Sequence, residues 1–110
     1  MNKRTVGLEE MQIMVRRLCE QKGFKLENTY ECKAEKVARL HSEVSEYFDA
    51  IKKGQPKERR GEELADILFI LLNIVEIEQI DLTAHFLDKL IINFGRPYKY
   101  GTFEEDICGI

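Results

Sequence analysis

Apolar residues recur in four successive blocks at the three-and-four spacing of a helix, each block bounded by residues that start or stop helices. Leu8, Met11, Val15 and Leu18 form the first, with Gly23 as its stop. Val37, Leu40, Val44, Tyr47, Phe48 and Ile51 form the second, a helix over about 30–53 capped by Asn28 or Thr29 and ended by Gly54. Pro56 suits the first turn of the third, whose stripe is Leu64, Ile67, Leu68, Leu71, Ile74 and Val75. Asp81 caps the fourth, where Leu82, Phe86, Leu87, Leu90 and Phe94 face inward until Gly95 and Pro97 end it. Only Val6 hints at a strand. The pattern predicts an all-α fold, a four-helix bundle protomer in one domain over 1–110, with a helical core over about 8–96 and an irregular tail over 97–110.

The third block carries more apolar surface than one neighbouring helix covers, since Phe69, Ile70, Leu72 and Ile77 lie off its stripe. A chain of 110 residues has room for a single core. The excess predicts a homo-oligomer, a dimer or tetramer, with Phe69 and Leu72 covered by a second subunit.

A net charge of −3 offers no field for polymeric nucleic acid, although Lys52, Lys53, Lys57, Arg59 and Arg60 cluster locally in what reads as a solvated connection. Three cysteines without C-x-x-C spacing suggest neither a disulfide framework nor a zinc site, and read as reduced thiols of a cytoplasmic protein. No segment has the apolar length of a signal sequence or a membrane span.

Residues three apart on a helix lie on one face, so Glu43 and Glu46, and Glu63 and Asp66, are two pairs of carboxylates each pointing one way. Glu46 with Asp49, and Glu78 with Asp81, share that spacing, and most such pairs in a chain with 20 acids are solvated. Glu63 and Asp66 differ, because their flank continues through Ile70 and Ile77 and is expected to be buried. Buried carboxylates require a cation, a hydrogen-bond network or protonation. Glu43 and Glu46 share a flank with Lys36, Arg39 and small Ala50. A short connection at Gly54 to Pro56 makes the second and third helices antiparallel neighbours, and the pairs then converge. Four hard oxygen donors suit Mg²⁺, with Mn²⁺ as a substitute. A di-iron bundle needs Glu-x-x-His, which neither His41 nor His85 completes, and both histidines read as surface or half-buried polar residues.

Glu43-Val44-Ser45-Glu46, sixteen intervening residues and then Glu63-Leu64-Ala65-Asp66 in a strongly apolar helix resemble the E-x-x-E…E-x-x-D signature of MazG-like pyrophosphohydrolases. That superfamily includes dimeric dUTPases, dCTP pyrophosphatases and phosphoribosyl-ATP pyrophosphohydrolase. The resemblance runs from about Leu8 to Gly101 and takes in Asp81-Leu82, Lys89, Asn93 and Arg96-Pro97-Tyr98. Ser42 stands where many members carry another acid, and Gln79 where a glycine often precedes the Ile-Asp-Leu turn.

The resemblance implies Mg²⁺-dependent hydrolysis of a nucleoside triphosphate to the monophosphate and pyrophosphate. Glu43, Glu46, Glu63 and Asp66 would hold the metal, and Glu43 would also activate the water. Lys89, Asn93 and Arg96, on one side of the fourth helix with His85, would bind the nucleotide through a mobile charge, an amide and a planar fork. Two alternatives stand beside this reading. One is hydrolysis of phosphoribosyl-ATP, and the other a non-catalytic helical oligomer that binds a partner through its third helix.

Overall fold

The computed structural model describes residues 4–96, and these form four helices: α1 (Leu8–Lys22), α2 (Tyr30–Lys52), α3 (Lys57–Glu78) and α4 (Leu82–Gly95). No strand occurs among the described residues, and none of their helices is long and apolar enough to cross a membrane. The chain divides after Ile80, so that α1 to α3 belong to one unit and α4 to another. The expected tail at 97–110 lies outside the described residues.

Local chemistry explains each boundary. Gly23, at φ 77°, takes the left-handed conformation that closes α1, and the N–H of Phe24 reaches back to the Cys19 carbonyl at 2.9 Å. Thr29, rather than Asn28, caps α2 by accepting from the Cys32 N–H at 3.1 Å. Gly54 turns the chain at φ 65°. Pro56 precedes α3 rather than occupying its first turn: at ψ 161° it is extended, and its carbonyl accepts the first helical bond, from the Arg60 N–H at 3.1 Å. Asp81 caps α4 by accepting from the Ala84 N–H at 3.1 Å.

Alpha3 ends on Gln79, the one described non-glycine residue at positive φ (55°). Its side-chain amide donates to the Glu76 carbonyl at 2.7 Å, satisfying one orphan acceptor of the last turn and offsetting part of the left-handed strain.

In the first unit α3 is central, packing against both α1 and α2. Its buried residues are Glu63, Ile70, Leu72, Asn73, Val75, Glu76 and Ile77. The stripe expected from the sequence therefore does not coincide with the packed face: Val75 is buried, but Leu64, Leu68 and Leu71 are exposed. Alpha2 is rotated in the same sense, burying Lys36 and Ala50 while Val37, Val44, Phe48 and Ile51 face outward. Ala50 has no side chain beyond Cβ, so the backbones can approach on that flank, and polar partners on α1 make the Asn73 and Glu76 flank buriable. Leu72, expected at a subunit interface, is instead the most buried side chain, set beside Met11, Met14 and Val15 of α1.

Those partners form a connected network. Arg16 Nε donates to Glu76 Oε1 at 2.6 Å and Gln12 Nε2 to Glu76 Oε2 at 3.0 Å. The Cys19 thiol donates to Asn73 Oδ1 at 3.3 Å, and Asn73 Nδ2 donates to the Phe69 carbonyl at 2.6 Å. Burial pushes the Cys19 thiol pKa up, against the lowering influence of nearby Lys36 and Arg16. In the second unit no residue of α4 is buried, so its expected inward face at Phe86, Leu87 and Phe94 is exposed.

Candidate metal centre

Antiparallel pairing of α2 and α3 follows from the tight turn at Lys53 to Pro56 and is tied at its far end by Lys33 Nζ, 3.7 Å from Glu78 Oε1. This register sets Glu43, at the middle of α2, opposite the first turns of α3. One carboxylate oxygen from each of Glu43, Glu63 and Asp66 lies within 4.8 Å of the other two. Glu63 is buried, Glu43 half-buried and Asp66 exposed, so the group opens to solvent on the Asp66 side.

The expected burial of the Glu63 flank therefore holds at Glu63, Ile70 and Ile77 and stops at Asp66. Glu46 lies outside this group of three and is exposed, one turn further along α2. It borders a second recess of ≈ 160 Å³, lined also by Asp49, Lys53, Arg59 and Glu63.

Mutual repulsion marks the group electrostatically. Partial burial, reinforced by the charges of Glu46, Asp66 and Glu63, holds the Glu43 carboxyl above the ordinary carboxylate range, and Arg39 only partly opposes this. Arg59 Nη2 pairs with Glu63 Oε2 at 3.2 Å and Arg59 Nη1 with Glu62 Oε1 at 3.1 Å. Among the described residues no basic side chain forms an ion pair with Glu43 or Asp66. Three hard oxygen donors on two helices, two of them without an ion-pair partner among the described residues, fit a divalent cation of the Mg²⁺ type. Glu78 and Asp81 have separate partners, Lys33 and the N-terminus of α4, and take no part.

Arg59 was read from the sequence as part of a solvated connection, yet it reaches the buried acid. The signal was its placement four residues before Glu63, which sets the two side chains side by side on one helix face. On α4, Lys89 is exposed and Asn93 half-buried, while Arg96 follows the helix in extended conformation (ψ 135°) rather than continuing its last turn. His41 and His85 are both exposed.

The family model of the MazG nucleotide pyrophosphohydrolase domain matches residues 31–92, more than half of the chain and a span that includes all four acids. No curated protein and no solved structure matches.

Proposed function

The chain belongs to the MazG nucleotide pyrophosphohydrolase family, and from that premise we propose that it hydrolyses a nucleoside triphosphate to the monophosphate and pyrophosphate with Mg²⁺, or Mn²⁺ in its place. The observation that carries this reading is the convergence of Glu43, Glu63 and Asp66 from two helices inside the matched span. Glu43, Glu63 and Asp66 would hold the ion directly, and Glu46, next along α2, completes the four-acid set from the rim.

When bound there, the cation supplies positive charge against the phosphates and acidifies water. The remaining chemistry falls to the side chains. Glu43 receives the proton of the attacking water, whose hydroxyl passes to one product as the phosphoanhydride bond breaks. Lys89, Asn93 and Arg96 bind the nucleotide through donors suited to phosphate and ribose oxygens.

We also propose that the working form is a homo-oligomer and the setting cytoplasmic. The support for association is the exposed apolar stripe of α2, Val37, Val44, Phe48 and Ile51, which solvent-facing helices normally lack.

The test is direct. Purified protein with Mg²⁺ and a panel of nucleoside triphosphates should release pyrophosphate and monophosphate in equal amounts, and chelation should stop the reaction. Release of inorganic phosphate alone, or no turnover of any nucleotide with either metal, would overturn the reading.

A further inference from the structure

Arg59 brings a positive charge to the acid group, and the contact it makes there is unlike an ordinary structural ion pair. It stands one turn before Glu63 on the same face of α3. Its Nη1 donates a hydrogen bond to Glu62 Oε1 at 3.1 Å, whereas its Nη2 meets Glu63 Oε2 at 3.2 Å as an ion pair only. The two partners differ in exposure: the Glu63 side chain is 6% exposed and the Arg59 side chain 53%. Of the three converging acids, Glu63 alone has an ion-pair partner among the described residues.

Buried Glu76 is held differently. Arg16 and Gln12 donate to one oxygen each, at 2.6 and 3.0 Å, so both oxygens are committed within the protein. A buried carboxylate requires a positive partner, and at Glu63 that partner faces solvent and is anchored through a different acid. Such a contact is exchanged at little cost. Packing around Glu63, more than Arg59, fixes the glutamate side chain in place.

A divalent cation on Glu43, Glu63 and Asp66 shares the Glu63 carboxylate with Arg59. Like charges on one carboxylate repel, and each weakens the hold of the other. We propose that Arg59 is a built-in competitor of the cation: it neutralises Glu63 while the acids hold no metal, and it thereby sets the metal concentration at which they load. Glu46 and Asp49 border the same recess as Arg59 and Glu63, so a guanidinium displaced from Glu63 has other acids beside it. The inference rests on the metal reading above and adds the residue that tunes its affinity.

Calorimetric titration with Mn²⁺, without nucleotide, measures the competition directly. Removing one screened unit charge beside a divalent ion should tighten Mn²⁺ binding about three- to tenfold in Arg59→Gln. Arg59→Lys keeps the charge and should stay within about twofold of the unaltered protein. Thermal melting supplies a second reading. Metal-free Arg59→Gln should melt about 2–5 °C below the unaltered protein, having lost the counter-ion of a buried acid. At the same excess of Mn²⁺ the tighter binding should erase that deficit. A residue with a merely structural role would lower both melting points alike.

Unchanged or weaker Mn²⁺ affinity in Arg59→Gln, or a melting deficit that persists with metal, would overturn the competition. Absence of Mn²⁺ binding in the unaltered protein would remove the metal centre and this inference together. Binding that tightens in Arg59→Gln, in a protein that hydrolyses no nucleotide, would uphold the inference and sink the enzymatic reading.

Discussion

At the scale of single residues the acids carry opposed demands, because their juxtaposition suits a cation and strains the protein without one. Glu43 is held above its ordinary range by burial and by its acidic neighbours. A carboxyl raised in the fold favours folding below its unfolded pKa, and that contribution is lost as pH rises through the folded value. Glu43→Gln should therefore raise the melting temperature of the metal-free protein at pH 7, with the gain vanishing toward pH 4, and should abolish the further rise that Mg²⁺ produces. The same substitution, and Asp66→Asn, should lower kcat by about a hundredfold or more with the helical circular dichroism intact; near-normal turnover in both would remove the site. Glu78→Gln, made at an acid with its own lysine partner, should leave activity within about twofold. Gln79 holds a left-handed conformation whose strain its side-chain hydrogen bond partly offsets, so Gln79→Gly, which relieves the strain but gives up that bond and loosens the unfolded chain, should leave stability within about 1 kcal/mol in urea titration.

Helices are where sequence and structure agree most closely, and helix faces are where they part. Caps and stops act through one or two adjacent residues, so Gly23, Thr29 and Asp81 announce three boundaries locally. Which face of α3 is buried depends on residues more than fifty positions away: Arg16, Gln12 and Cys19 make Asn73 and Glu76 buriable, and no periodicity within α3 encodes that. The candidate site shows both behaviours. The spacing within each acid pair was legible, as was the burial of Glu63 beside Ile70. The outward position of Glu46 was not, because it depends on how far α2 is rotated toward α3 around Ala50. The α1–α3 network gives a direct measure of such distant control. Arg16→Ala leaves the Glu76 carboxylate, itself 9% exposed, without its closest donor. With Arg16 side-chain exposure at 40% discounting the loss, it should destabilise the protein by about 1–2 kcal/mol in urea titration, with no change in m-value.

For the molecule as a whole, the outward stripes of α2 and α3 are what the proposed self-association would cover. Val37, Val44, Phe48 and Ile51 on α2, and Leu64, Leu68 and Leu71 on α3, are each more than a third exposed. Fully burying such a side chain from full exposure is worth about 1.5–3 kcal/mol, and these are already about half buried, so covering all seven offers a gain of the same order as the usual cost of association. A net charge of only −3 opposes it weakly. A second copy of the chain presents the same stripes, and a two-fold arrangement covers both at once. Light scattering at micromolar concentration should accordingly return a mass of at least twice 12.9 kDa. Phe48→Glu and Leu64→Glu should lower that mass while keeping the helical signal, because both side chains lie outside the packed interior of the first unit. Leu72→Glu should instead unfold the protein, since Leu72 is 2% exposed and a charge there has neither solvent nor partner. A fully helical monomer of the unaltered chain at that concentration would show that the stripes serve another purpose, and loss of the helical signal in Phe48→Glu would place that residue inside the protomer rather than between copies.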